Sequence, residues 1–439
     1  MIITPIKSKS NAGKNLIENL RARFQETDTD CRRVVAEILT AVRENGDDAL
    51  LEYTRKFDAA NFQMGQLQVT QEEFDRSYSQ VDAAFMETLS LAIERLQFFH
   101  EQELEKSWTL TRDDGVITGR LVRPVSAAGL YVPGGQGGKT PLVSSVLMNG
   151  IPAGIAGVRK RIMVTPPNEK GEVHPALLVA AREIGIDQIF KVGSCWAIAA
   201  LAYGTQSIPR VDVIVGPGNQ YVAEAKQQVS GIVGIDMLAG PSEVLIVADG
   251  SSHPSYIAAD MLAQAEHDPQ ALAMLVTTSP DIGEQVVLEL ERQLNELSRK
   301  EIAATALRNR GVILLVDNLD EAIDLANKIA AEHLELMIEK PDSWLHAIQH
   351  AGAIFLGNYS PEAAGDYLAG PNHVLPTMGT ARFSSALGVE TFLKKSSIIS
   401  YNRAALLEDG PHIMALANLE GLSAHAKSVA ARMKGDSRH

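Results

Sequence analysis

The chain has 439 residues, 45% hydrophobic and 21% charged, the make-up of a globular protein too long for one core. Its net charge of −14 excludes a nucleic-acid surface, which needs clustered Lys and Arg to neutralise phosphates. No stretch approaches ~18 uninterrupted apolar residues, residues 1–9 lack the core of a secretory signal, and Cys31 and Cys195 form no metal or disulfide pattern, so a cytoplasmic protein without a membrane partner is expected.

In chain order, residues 1–27 read as a polar arm. Asp30 is placed to cap a helix whose apolar stripe, Val34, Val35, Ile38, Leu39 and Val42, ends before Gly46. Residues 71–106 read as one long helical region. Phe74, Tyr78, Val81, Phe85, Leu89 and Leu96 recur there at helical spacing, a core stripe rather than a cofactor box. From Val125 short β-branched runs alternate with helices. Strands are expected at 127–132, 162–165, 188–192 and 211–215, with helices ending near Met148 and over 174–184, 196–203 and 221–229. The alternation resumes after Gly240-Pro241-Ser242, with strands at 244–248, 271–277, 312–316, 333–338 and 353–356. Helices there run from Pro254 to about His267 and over 282–297, 319–330 and 343–349. Such βα runs imply parallel sheets covered on both faces. The two similar halves suggest a duplication, without a residue-level repeat. Residues 386–439 return to helix and polar loop, a second arm.

Several stretches carry chemistry. Pro133-Gly-Gly-Gln-Gly-Gly-Lys-Thr140, with the acid Asp317 after a later strand, resembles a P-loop. It fails at Pro133, where that motif needs its first glycine. Glycine amides opening a helix still suit a pyrophosphate. Val215-Gly-Pro-Gly-Asn219 is a second such turn, equally readable as a plain βα loop. Gln264 and His267 lie three apart at a helix end stopped by Asp268-Pro269, a place for a metal or a polar ligand, or an ordinary solvated terminus. Glu332-His333 offers a base near neutral pH beside a second proton carrier. On a pleated strand the two would face apart unless Glu332 still belongs to the preceding loop. Asp366 and His373 share a glycine-bracketed loop, and Glu420 and His425 form another acid–imidazole pair. Gln264, His267, Asp366 and His425 together make an N/O set suited to zinc, whether or not they meet.

Taken in order, the motifs are Gly-Leu-Tyr131-Val-Pro-Gly-Gly, Gly216-Pro-Gly-Asn219, Ala239-Gly-Pro-Ser242-Glu, Gln264-Ala-Glu-His267, Ala-Glu332-His333-Leu-Glu, Gly-Pro-Asn-His373-Val-Leu-Pro-Thr and Glu420-Gly-Leu-x-x-His425. Over nearly its whole length the chain resembles the histidinol dehydrogenase family. The resemblance implies oxidation of L-histidinol through histidinaldehyde to L-histidine with zinc and two NAD, closing histidine biosynthesis. It implies Gln264, His267, Asp366 and His425 as zinc ligands and Glu332 and His333 as the acid–base pair. Ser242, Gln264, His267, His333, Asp366, Glu420 and His425 are implied as substrate contacts, and Tyr131 and Asn219 as cofactor contacts.

The implied assembly is an intertwined homodimer whose C-terminal arm delivers Glu420 and His425 to the partner's site. The implied fold is α/β, with two incomplete Rossmann-like parallel-sheet domains plus N- and C-terminal helical arms. Residues 1–27 are the first arm, 28–130 with 243–385 the metal-carrying domain, 131–242 the NAD-binding domain and 386–439 the second arm. Two departures stand out: a glycine-rich loop at 134–138 longer than the family form, and Gly193-Ser-Cys-Trp196-Ala where the family has Gly-Gly-Ala-Gln-Ala. Trp196, replacing a glutamine, is expected either to hold NAD through its apolar face or to pack in the core. Cys195 invites a thiohemiacetal mechanism, against which stands the inertness of buried cysteines. Two rivals are a same-fold enzyme acting on a sulfonated diol, which would want a cation where Glu420 stands, and a non-catalytic nucleotide-binding module.

Overall fold

The computed structural model describes residues 2–23, 29–135 and 140–434. The glycine-rich stretch at 136–139 and the end of the first arm at 24–27 lie outside them. By internal contacts the chain divides into Met1–Glu103 with Val125–Phe392, and Leu104–Pro124 with Leu393–His439.

In chain order the strands are β1 (Ile6–Lys7), β2 (Trp108–Thr111), β3 (Ile117–Pro124), β4 (Ala127–Tyr131), β5 (Lys160–Thr165), β6 (Gln188–Lys191) and β7 (Val213–Val215). They continue as β8 (Gly234–Ile235), β9 (Glu243–Ala248), β10 (Leu272–Thr277), β11 (Val312–Leu315), β12 (His333–Met337), β13 (Ala353–Leu356) and β14 (Leu393–Ser400). The first unit holds a six-stranded sheet, β1-β11-β10-β9-β12-β13, and a five-stranded sheet, β6-β5-β4-β7-β8. All pairings in both are parallel. The two-sheet α/β architecture expected from the alternation is therefore present.

The parallel strands are mostly apolar because both faces are covered, with Glu243, His333 and Glu335 among the buried polar exceptions. In β9, Val244, Ile246 and Ala248 pack with Ile257, Met261 and Ala265 of the helix Pro254–Ala265. Leu245 and Val247 face the other way, against Ala322, Ile323 and Ala326 of the helix Leu319–Ile329. This is the period-2 alternation of a strand feeding two helical layers. Pro254 at the first helical position and Asn318 as N-cap start the two helices.

Four differences from the expected elements have physical reasons. The N-terminal arm is helical, as the resemblance implies, with Ser10 capping a helix Asn11–Ala22, but it also adds a strand, β1, which pairs with β11. The buried positions of the helix, Gly13, Ile17 and Leu20, are too few among polar neighbours to show a period. The region 71–106 breaks into Gln71–Tyr78 and Ala83–His100, because Asp82 caps the second helix through the Phe85 N–H. Asp30 lies inside the first turn of Thr29–Asn45 rather than at its cap. That helix and Asp47–Phe57 share a core with Ile162, Val164 and Ala197 of the five-stranded half, whereas the sequence grouping put 28–130 with the other half.

The second unit is a three-stranded antiparallel sheet, β14-β3-β2, followed by helices Arg403–Leu419 and Ser423–Met433. Its β2–β3 turn runs through Asp114-Gly115, with Gly115 at φ +80°, a dipeptide suited to a hairpin. Among the described residues no helix is long and apolar enough to cross a membrane.

Candidate functional site

The polar constellation lies at the amino edge of the six-stranded sheet. β12 starts at His333, which pairs with Val244 of β9, so Glu332 belongs to the preceding loop and escapes the alternation that would face it away. One residue holds both groups: the Glu243 N–H donates to Glu332 Oε2 at 2.8 Å, and the Glu243 carbonyl lies 3.0 Å from His333 Nδ1. A carbonyl only accepts, so Nδ1 carries the proton and Nε2 keeps the lone pair. Nε2 is buried with no hydrogen-bond partner. Burial pushes the imidazole down to about 4, so the ring is neutral at pH 7. Burial pushes the Glu332 carboxyl well above its usual range, against the pull of the Glu243 N–H. Ser242, just before β9, directs its side chain at Glu332.

The second cluster closes on His333 from the side. Gln264 is fully buried at the end of Pro254–Ala265. His267 lies two residues past that helix, exposed at the rim, its N–H bonded to the Gln264 carbonyl at 3.3 Å; the helix is shorter than expected, yet the two remain neighbours. The short helix Glu362–Tyr367 supplies Asp366 and, one turn earlier, Glu362. Ligand atoms of His267, Glu362 and Asp366 lie within 4.8 Å of one another. The Gln264 carboxamide, its nitrogen turned to the acid, donates to both Glu362 oxygens at 3.1 and 3.2 Å. Glu362 Oε1 and Glu332 Oε2 each stand 3.8 Å from His333 Nδ1. Burial raises Asp366 to about 6 and Glu362 further above its ordinary value.

Glu362 was missed by sequence reasoning. Its signal was the i, i+4 spacing to Asp366, repeated by Asp260 and Gln264 on their own helix. Asp260 and Glu335 extend the buried acids, Glu335 accepting the Glu362 N–H at 3.1 Å. Burial holds His373 down to about 4, and its Nδ1 donates to the Asp366 carbonyl at 3.1 Å. Its neighbour Asn372 donates to the Met148 carbonyl at 2.7 Å, tying this cluster to the five-stranded half.

There the glycine turns follow β4 and β7, the two strands between which the chain order reverses. That is the carboxyl-end crevice where open α/β sheets take ligands. Gly216 has φ +113°, and a Cβ on it would meet the Tyr131 carbonyl at 2.1 Å. Its N–H donates to Asp236 and its carbonyl accepts from Lys226, both buried and ion-paired. Asn219 caps the helix Gln220–Val229. Tyr131 is buried, its hydroxyl accepting the Ser194 N–H at 3.2 Å.

Trp196 is 4% exposed. Its ring stacks against Tyr53 and Phe57, with centroids 5.9 and 5.5 Å away and those two rings 6.5 Å from each other, so it is buried against the helix Asp47–Phe57. Burial raises the Cys195 thiol to about 11, which removes it as a nucleophile at neutral pH. Glu420 and His425 belong to the second unit, where both are exposed.

A model of one protein family, described as Histidinol dehydrogenase, matches residues 21–433. A histidinol dehydrogenase from Desulfotalea psychrophila is 64% identical over 99% of this chain and 100% of its own. One from Halalkalibacterium halodurans is 50% identical over 94% and 97%. The crystal structure of histidinol dehydrogenase from Elizabethkingia anophelis superposes with a TM-score of 0.92 at 37% identity, covering 99% of this chain and 98% of that one.

Proposed function

The chain belongs to the histidinol dehydrogenase family, and from that premise we propose that it oxidises L-histidinol through histidinaldehyde to L-histidine with zinc and two NAD. Membership makes it an oxidoreductase of histidine biosynthesis, and it leaves the sulfonated diol and the non-catalytic module without support.

The donors around Asp366 fit zinc, being nitrogen and oxygen ligands gathered within 4.8 Å. Gln264, His267 and Asp366, with His425 of the partner subunit, would hold it, and Glu362 would orient the Gln264 carboxamide. Bound zinc would supply a template for the amine and imidazole of the substrate. NAD would supply the hydride acceptor, with Tyr131 and Asn219 at the crevice between β4 and β7. For Trp196 the buried stack favours the packing alternative.

His333 Nε2 takes the carbinol proton in the first oxidation. The imidazolium then keeps its Nδ1–H on the Glu243 carbonyl, with the Glu332 and Glu362 carboxyls 3.8 Å away to stabilise it. Glu332, whose raised affinity for a proton suits transfer near neutral pH, removes a proton from the water that adds to the aldehyde. Ser242, Asp366 and the partner's Glu420 would orient the substrate.

We read the assembly as an intertwined homodimer in a reducing cytoplasm. Leu416 and Leu419 in the second unit are 64% and 85% exposed, apolar surface of the kind a partner covers. We keep the two-domain division, with residues 29–57 moved to the NAD-binding half on the strength of their shared core.

The observation that carries the reading is the buried, unpartnered His333 Nε2 beside Glu332 and the ligand cluster. Its test is stoichiometry. Purified protein should form two NADH per L-histidinol consumed; one NADH, or none, would rule out the two-step oxidation.

A further inference from the structure

Glu243 enters the site only through its backbone, yet its side chain is 1% exposed and ionically paired. Arg23, in the first turn after the helix Asn11–Ala22, meets it with a two-pronged contact. Nε donates to Oε1 at 2.6 Å and Nη2 to Oε2 at 2.7 Å. The same guanidinium donates to the Leu20 carbonyl at 2.5 Å and to the Ile329 carbonyl at 2.9 Å. Leu20 and Ile329 are the carboxyl ends of two helices, where orphan carbonyls and the helix dipole favour a cation. Ile329 stands three residues before Glu332, and Ala330 between them takes the left-handed conformation at φ +52°. One buried cation therefore fixes both sides of the acid–base pair. It holds the side chain of the residue whose N–H and carbonyl grip Glu332 and His333, and it holds the backbone leading into Glu332.

We propose that Arg23 and Glu243 are positioning residues for the proton-transfer step, the guanidinium setting the place of the single residue that orients Glu332 and the tautomer of His333. The geometry supports this over a purely structural ion pair. A buried pair adds little stability over apolar replacements, whereas a bidentate arginine fixes direction in a way lysine cannot. The chemistry needs direction, since misplacing a reacting group by about 1 Å costs on the order of 10²-fold in rate. The charge also acts locally, because an unneutralised Glu243 carboxylate raises the proton affinity of Glu332 further.

The inference rests on Glu332 and His333 being the proton-transfer pair, so Glu332→Gln and His333→Asn are measured beside the positioning variants. In the full chain, Arg23→Lys and Arg23→Met should lower kcat on both histidinol and supplied histidinaldehyde, Arg23→Met by about 10²-fold and Arg23→Lys by less. The KM for NAD and the zinc content should hold, and the acid limb of the kcat profile should move to higher pH. The double variant Arg23→Met/Glu243→Gln removes both buried charges. Its melting temperature should recover above that of Arg23→Met while its kcat stays low, a separation that a role in stability alone would not give. Arg23→Lys carries the test if Arg23→Met does not fold. Wild-type kcat in folded Arg23→Lys, or a kcat that recovers with stability in the double variant, overturns the positioning role. Full activity in Glu332→Gln and His333→Asn would instead overturn the assignment of the pair itself.

Discussion

Apart from the edge strand β1, the two parallel sheets share one strand order: a central strand, two strands laid on one side, then a return to the other side. They are polar at opposite ends. The five-stranded sheet presents glycine turns at its carboxyl edge, between β4 and β7, where such folds take ligands. In the six-stranded sheet the matching crevice, between β9 and β12, is closed by its own side chains. Asp249 accepts the Ser251 and Glu339 N–H groups at 2.9 and 3.1 Å, and the Ser252 hydroxyl bonds the Met337 carbonyl. Those two amides are satisfied internally and are not offered to an anion. The buried polar cluster of that half is at the amino edge, where Glu243, Glu332, His333 and the end of Pro254–Ala265 converge. Topology thus sets where crossovers go, and buried polar side chains decide which edge is used.

If the edges divide the labour as proposed, changes at one should leave the other's function standing. The largest effect is expected at the amino edge. His333→Asn should lower kcat on histidinol by about 10²–10⁴-fold with NAD affinity intact. Glu332→Gln should chiefly impair oxidation of supplied histidinaldehyde; wild-type aldehyde oxidation would break its role. Next, His267→Ala should lose most of its zinc in metal analysis, again without weakening NAD binding. Loss of both together would show that the two ends are not separable.

The metal-free protein should reveal the cost of burying that edge. His333 and His373 have folded values near 4, below the unfolded imidazole. The unfolded chain therefore binds more protons between about pH 6.5 and 4, and stability falls as pH falls through that window, by about 3 kcal/mol for each ring. The buried carboxyls Glu332, Glu335 and Glu362, raised by burial, act oppositely and lose stability as pH rises above the usual carboxylate range. The two windows overlap, and above about pH 6.5, where the rings no longer titrate, urea titrations should show stability falling as pH rises; a flat profile there would contradict the burial of these carboxyls.

Smaller effects belong to the carboxyl edge. Gly216→Ala must move the Tyr131 carbonyl or abandon φ +113°. It should cost about 1–3 kcal/mol of stability and raise the KM for NAD while zinc content holds. Smallest is Ser194→Gly. Ser194 opens its helix at φ +48°, where the family form has glycine, and relief of that conformation should stabilise the fold by up to about 1 kcal/mol. An unchanged melting temperature would show that the turn is unstrained.

What the chain revealed by itself was local. Alternating apolar runs and helical stripes marked most of the strands and helices of the two sheets, because periods of 2 and 3.6 need only neighbours in sequence. The ordered motifs named Gln264, His267, Glu332, His333 and Asp366, and all five meet in one place. What local pattern could not carry was decided by packing. The break at Asp82 was written in a single cap residue, and β2, β3 and β14 form a sheet whose faces are mostly exposed and so show no clear alternation. Docking of Thr29–Asn45 on the five-stranded half, the stacking of Trp196 against Tyr53 and Phe57, the place of Glu362 beside Gln264 and the hold of Arg23 on Glu243 across 220 residues are pairings between distant segments. Their sequence separation leaves no period to read, and only the close packing of the folded interior brings the partners within hydrogen-bonding reach.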